Sequence, residues 1–250
     1  MASGHEHVLP GTHAVAGHSA SDAHGSHASH NPNLQHHFYS MEQQLEASTF
    51  GMWVFLVTEI MFFGGMFMVY ILYRHLYPDA WTYGSHHLNV SLGALNTGVL
   101  ICSSLTMVLA VRAAQTSSRM GQIVNLILTI VFGSIFLIVK YFEYAEKFRL
   151  HLVPGPDFNS TGEIPLANDP LHQQLFFSIY FMLTGVHAAH MIIGIGIMLV
   201  VLAMAIKGKF DAEYYTPVEI SGLYWHFVDV VWIFLFPLLY LLGPHLGAGH

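Results

Sequence analysis

The chain has 250 residues, 54% of them hydrophobic and 9% charged, with a formal net charge of −7. Soluble domains carry roughly a quarter charged residues, so this composition leaves too little polar surface for a water-soluble globule. Eight Lys and Arg in all supply no basic patch for nucleic acid. One cysteine, Cys102, excludes an internal disulfide framework, a C-x-x-C-H haem attachment site and a thiolate-bridged dicopper centre. In its apolar stretch Cys102 is expected to be a small buried residue.

Residues 1–45 are rich in Gly, Ala, Ser and His and hold no Lys or Arg. They lack the apolar h-region of a secretory signal peptide. A segment with so little apolar surface is expected to stay a flexible tail. Nine histidines lie in it: His5, His7, His13, His18, His24, His27, His30, His36 and His37. Such tracts bind metal in some proteins, but the spacing is irregular and no cysteine or carboxylate cluster stands beside it. A solvated tail is the expectation.

Five long apolar segments follow, about Phe50–Tyr73, Leu88–Ala114, Gln122–Tyr144, Leu171–Ile206 and Ile220–Leu242. Each reaches the roughly 20 residues that cross a hydrocarbon core as helix, and helices satisfy their own backbone groups in lipid. The fourth exceeds the span and should tilt or project. Pro78 and Gly84 break the first connection. Arg112, Gln115, Ser117, Ser118 and Arg119 form a short polar second. A third, between Pro154 and Pro170, is long, and Gly208, Asp211 and Pro217 mark the last. Trp81, Tyr83, Tyr214, Tyr215 and Tyr224 fall near helix ends, where interfacial aromatics belong. The predicted architecture is all-α: a polytopic membrane helical bundle of five transmembrane helices over residues 46–245, behind the disordered His-rich tail. Arg112, Arg119, Lys207 and Lys209 lie on one side, and Arg74, Lys147, Arg149 and Lys140 on the other. That near balance favours a cytoplasmic N-terminus by a narrow margin.

Ionisable residues within a span are costly and face protein or a polar cavity. Glu59 sits near the middle of the first span, as a hydrogen-bonded interhelical glutamate or as a proton- or lipid-linked site. Gly64 and Gly65, a turn later, are expected to allow close helix approach. Lys140 and Glu143 share a helix face three residues apart, which predicts an ion pair near the interface, with Lys140 able to snorkel toward the head groups. His187 and His190 share a face of the fourth span. A metal would need further ligands, so packing histidines bonded between helices or to lipid are expected. In the fifth span Asp229 can orient His226 or bridge to another helix, and Trp225 and Trp232, seven apart, line one stripe.

Several runs carry a resemblance beyond composition. Trp225-His226-Phe227-Val228-Asp229-Val230-Val231-Trp232 is unbroken. Upstream stand Thr184-Gly185-Val186-His187-Ala188-Ala189-His190-Met191-Ile192-Ile193-Gly194, Thr58-Glu59-Ile60-Met61-Phe62-Phe63, Leu95-Asn96-Thr97 and Glu143-Tyr144. In order and spacing over about residues 48–243 this resembles the cytochrome c oxidase subunit III family, in its short five-helix bacterial form without the first two helices of the long form. The resemblance implies a subunit with no catalytic centre, haem or copper of its own. Its implied partners are the catalytic oxidase subunit I, which holds the haems and copper, subunit II and membrane phospholipids, with a respiratory supercomplex left open. It implies support of proton uptake and of active-site lifetime during aerobic electron transport, and structural phospholipid in a cleft. Glu59, Glu143, His187, His190, His226 and Asp229 then form the buried polar, proton- or lipid-linked set, and Trp225 and Trp232 the packing signature. The implied location is a bacterial inner membrane. Lys140 stands where mitochondrial members usually carry glutamine, and the His-rich tail matches no part of the family pattern. A subunit of a quinol oxidase or nitric oxide reductase is the alternative within the superfamily. A histidine-box metalloenzyme would need more histidines at helix ends, and a transporter would show a repeat or a pair of broken helices, whereas Pro237 is a single late kink candidate.

Overall fold

The computed structural model describes residues 39–159, 170–210 and 214–241. The tail expectation falls, for residues 1–38, outside these. Helix α1 (Met41–Leu76) begins earlier than the apolar pattern, taking in residues 41–45. Ser40 caps it by accepting from Gln43 N–H at 3.1 Å, while Gln43 Oε1 accepts from Tyr39 N–H at 2.9 Å. This reciprocal S-x-x-Q arrangement is a strong start signal that carries no hydropathy.

The other long helices are α3 (Val90–Gln115), α4 (Arg119–Arg149), α5 (Pro170–Ile206) and α6 (Thr216–Phe236), the last continued by a π turn over Pro237–Leu241. Five helices are long and apolar enough to cross a membrane, and the described residues contain no strand. Asn89 caps α3 through Oδ1, accepting from Ser91 and Leu92 N–H. Pro170 opens α5 and Pro217 falls in the first turn of α6, where a missing N–H costs nothing. Ser117, in the left-handed region at φ 55°, turns the chain between α3 and α4.

Helices α3, α4, α5 and α6 form a ring, each packed on the next and α6 closing back on α3. Helix α1 lies outside, mainly against α6. The outward faces are apolar: Ile60, Met61, Ile101, Leu105, Ile138 and Val200 are exposed. The interior is where the polar groups collect, among them Asn96, Ser103, Thr129, Lys140, Glu143, His187 and Asp229. That distribution suits lipid as the surrounding solvent, in which polar groups must find their partners inside.

Four local expectations change. The first connection is not a simple break, because Pro78–His86 forms a further helix, α2, with Pro78 at its start. Gly84 lies within it and admits α5: a Cβ there would stand 2.3 Å from Phe176 Cδ1. Gly64 and Gly65 meet nothing within 4 Å, so α1 is turned with these glycines outward. Cys102 is exposed on the outer face of α3 rather than buried. Pro237 does not simply kink α6; it opens the π turn, having no N–H to continue the α-helical ladder.

The close approach expected of Gly64 and Gly65 occurs elsewhere. A Cβ at Gly133 of α4 would lie 2.7 Å from Trp225 Cη2, and one at Gly194 of α5 would lie 2.9 Å from Trp225 Cζ3. The fully buried indole is thus clamped between two helix backbones, and its Nε1–H donates to Ser103 Oγ of α3 at 3.0 Å. Gly133→Ala should lower the thermal midpoint of the purified protein by several degrees, since overpacking a rigid site costs about 1–3 kcal/mol and each kcal/mol shifts a chain of this size by roughly 2–4 °C. Gly64→Ala should leave it unchanged. Equal midpoints for the two variants in a thermal melt would contradict this packing.

Candidate functional site

Three polar clusters join the long helices. The first joins α4, α5 and the π turn. Lys140 Nζ lies 2.8 Å from Glu143 Oε2 and also donates to Tyr240 OH at 3.0 Å and Tyr180 OH at 3.4 Å. Both phenols in turn donate to Glu143 Oε1, Tyr180 at 2.9 Å and Tyr240 at 2.5 Å. All three ammonium hydrogens and both carboxylate oxygens are engaged, and the charges cancel. The expected ion pair is present, but Lys140 does not snorkel: the side chains are 4% and 2% exposed. The ammonium also stands 5.1 Å from the centroid of the Trp232 ring. Lys147, one turn beyond, donates to the His87 carbonyl and ties α4 to the chain entering α3.

The second cluster joins α1 to α5. His190 Nε2 lies 3.2 Å from Glu59 Oε2, and His190 Nδ1 lies 2.9 Å from the Val186 carbonyl. A carbonyl oxygen only accepts, so Nδ1 carries a hydrogen. The Nε2···Oε2 contact is then a hydrogen bond only if one proton lies between the two groups. Either arrangement of that proton, carboxylic acid with imidazole or carboxylate with imidazolium, has zero net charge. Tyr224 of α6 donates to the His190 carbonyl at 3.1 Å. Glu59 and His190 are partly accessible, their side chains 19% and 15% exposed, so Glu59 is less enclosed than a mid-span carboxyl was expected to be.

The third cluster joins α6 to α3. His226 Nδ1 lies 2.8 Å from Ser104 Oγ. Asp229, one turn on, is 3% exposed, and among the described residues only the Ser104 hydroxyl stands beside its carboxyl. It does not orient His226; Ser104 does. Trp225 and Trp232 are both fully buried on the inner stripe, and Trp232 Nε1–H donates to Thr97 Oγ1 at 3.1 Å.

His187 and His190 do not act together. His187 packs against Phe136 and Trp232, with ring centroids 5.4 and 5.2 Å away, and neither of its nitrogens meets a hydrogen-bond partner among the described residues. The hydrogen bonding expected of both histidines therefore holds for His190 alone. Among the described residues no three His, Cys, Asp or Glu side chains converge.

The family model for cytochrome c oxidase subunit III matches residues 30–150 and 165–244. This chain belongs to the cytochrome c oxidase subunit III family. It is 37% identical over 191 residues to cytochrome c oxidase subunit 3 of Corynebacterium diphtheriae, covering 76% of this chain and 85% of that protein. It is 34% identical over 194 residues to the Synechocystis protein of the same name, covering 77% and 75%. With cytochrome c oxidase subunit 3 of Pelomedusa subrufa it shares 31% identity over 215 residues, 83% of this chain and 73% of that protein. Five spanning helices in a member of this family make it a multi-pass membrane protein.

The family motifs noted in the sequence meet in space. Glu59 reaches His190, Thr97 reaches Trp232, and Glu143 is joined by Lys140. Sequence reasoning missed Tyr180, Tyr240, Ser103 and Ser104. Tyr180 lay within an apolar run, and Tyr240 reaches the first cluster from the π turn beyond α6. The two serines were legible as small polar residues within the span that became α3, but nothing along the chain named their partners.

Removing one member of a buried ion pair costs about 3–5 kcal/mol, whereas replacing both can be near neutral. Glu143→Leu should therefore unfold at clearly lower temperature than the parent. The double variant Lys140→Met, Glu143→Gln, which keeps an acceptor for the two phenols, should recover most of the loss. Thermal melts of both in one detergent decide this, and a double variant no better than the single would refute the paired arrangement.

Proposed function

We propose that this chain serves as the non-redox subunit III of a terminal cytochrome c oxidase. In that role it packs beside a haem- and copper-bearing subunit I and with subunit II, in a bacterial inner membrane with its N-terminus on the cytoplasmic side. There it supports proton uptake into subunit I, prolongs the life of the active site under turnover and holds structural phospholipid. The observation that carries the proton-linked part is the Glu59–His190 contact. There a carbonyl-locked imidazole and a carboxyl from two different helices face each other across a single proton. Both groups are partly accessible at the edge of the bundle.

The lipid-linked part rests on the other flank of α1. An apolar groove of ≈ 510 Å³ runs between α1 and α6, lined by Trp53, Ile60, Phe67, Phe227, Val230 and Phe234. Its length along two spanning helices and its near lack of polar atoms suit an acyl chain.

Glu59→Gln keeps a hydrogen-bonding side chain facing His190 but cannot carry the shared proton. In oxidase purified with this variant, inactivation should set in after several-fold fewer turnovers, and phospholipid per haem should fall. Oxygen reduction at the first turnovers should persist, because the redox centres of the proposal lie in the partner subunits. Turnover lifetime and phospholipid both equal to the parent would refute the reading.

A further inference from the structure

Glu219, Gly222, His226 and Asp229 follow one another along α6 at spacings of three, four and three, so they share one helix face. A groove of ≈ 540 Å³ opens along that face between α3 and α6. Arg112, Gln115, Thr116 and Glu219 line its mouth, and Val108 and His226 its inner end. Thr116 caps the end of α3 and Glu219 lies in the first turn of α6, so the mouth stands where the two helices leave the hydrocarbon. His226 is ten residues into α6 from Thr216, about 15 Å at 1.5 Å per residue. The groove therefore leads from the interface well into the hydrocarbon layer. The four polar side chains at its mouth give water the several partners it needs to enter.

At the inner end the hydrogen bonding has a direction. His226 Nδ1 lies 2.8 Å from Ser104 Oγ, and the Ser104 hydroxyl stands beside the Asp229 carboxyl. Both oxygens of Asp229 are sealed from the surface, so the carboxyl reaches the groove through Ser104 alone. An ionised carboxyl only accepts, so the serine gives it the hydroxyl hydrogen and must itself accept from His226 Nδ1–H. A neutral imidazole with its hydrogen on Nδ1 has a bare Nε2. Nδ1 is turned to Ser104, and the opposite edge of the ring borders the groove. The two other grooves that His226 borders bring it no titratable side chain besides Asp229.

We infer that the α3–α6 groove is a proton inlet, and that His226 and Ser104 relay protons between its water and Asp229. Glu219 is the one carboxyl on the groove wall and draws protons to the mouth. A proton delivered from groove water to Nε2 forms one N–H bond there. The Nδ1 hydrogen then passes to Ser104 Oγ, and the serine's own hydrogen passes to a carboxylate oxygen of Asp229. One proton leaves the water, one O–H bond is gained at the carboxyl, and the reverse sequence returns it. Chains of His and Asp inside a span serve as proton relays in membrane proteins. This site is separate from the Glu59–His190 contact of α1 and α5, and it needs no partner subunit.

The test uses the full chain in bilayers of its native lipids, with its aspartate carboxyls labelled with 13C. The Asp229 band is the carboxyl infrared band that Asp229→Asn lacks. On transfer to D2O it should shift as fast as mixing allows in the parent. In Ser104→Ala the shift should be about a hundredfold slower, the low end of what a positioned proton carrier contributes. Ser104→Thr keeps the hydroxyl and should exchange like the parent. Diethyl pyrocarbonate, added from water to the unaltered chain, should modify His226 at Nε2, leave the fully buried His187 intact and slow the Asp229 exchange to the same degree. That arm decides alone if Ser104→Ala does not fold. Parent-like exchange in Ser104→Ala or after modification of His226 overturns the relay, as does the lack of a D2O-sensitive Asp229 band at every pH where the protein stays folded. Reaction of His226 only after lipid extraction shows a groove filled by lipid rather than water and overturns the inlet. Each of these outcomes leaves the oxidase-subunit reading standing.

Discussion

The indole of Trp225 is the one contact on which the arrangement of the long helices depends. It leaves α6, passes between the backbones of α4 at Gly133 and α5 at Gly194, and ends in a hydrogen bond to Ser103 of α3. Four helices therefore meet at one level around one rigid side chain. Lipid provides no hydrophobic force to press helices together, so close packing and interhelical hydrogen bonds must do it. An indole does both, because its face fills the gap left by two missing Cβ atoms and its N–H supplies the bond. With α6 so placed, Trp232 arrives seven residues on at Thr97 of α3 and at the edge of the Lys140 cluster.

The polar interior follows from the same solvent argument. A lysine and a glutamate in the bundle are tolerable because each remaining hydrogen-bonding position is taken by a phenol. Their partners come from α4, α5 and the π turn, so the cluster also fixes the end of the last span against the bundle. The Glu59–His190 contact works more loosely. It links the outlying α1 to α5 through two groups that are partly accessible and share one proton. One arrangement is thus closed, while the other is partly accessible, and the difference lies in how many donors surround the carboxylate.

Much of this was legible along the chain. The five spans, the pairing of Lys140 with Glu143 and the inner stripe of Trp225 and Trp232 follow from hydropathy and from helical spacing. The errors share a cause. Gly64, Gly65 and Cys102 were assigned inward by residue type, yet α1 and α3 are rotated so that they face outward. An apolar helix in lipid has little amphipathic signal, because both its faces meet hydrocarbon or apolar side chains. The side facing protein can then be told only from neighbours. Helix α2 was missed because nine residues with Pro, Asp, Gly and Ser carry weak helix propensity, and packing of Gly84 on Phe176 holds it instead.

The sequence alone determined that the chain is a bundle of membrane-spanning helices and which family pattern it carries. Transfer into lipid is a property of each segment by itself, and motifs are read in order along the chain. The tertiary structure alone decided that Glu59 meets His190, that Ser104 rather than Asp229 holds His226, and that Tyr240 reaches Glu143. These choices depend on the rotation of each helix about its axis and on a π turn at Pro237. The rotations are set by side chains 97 to 131 residues apart meeting in space.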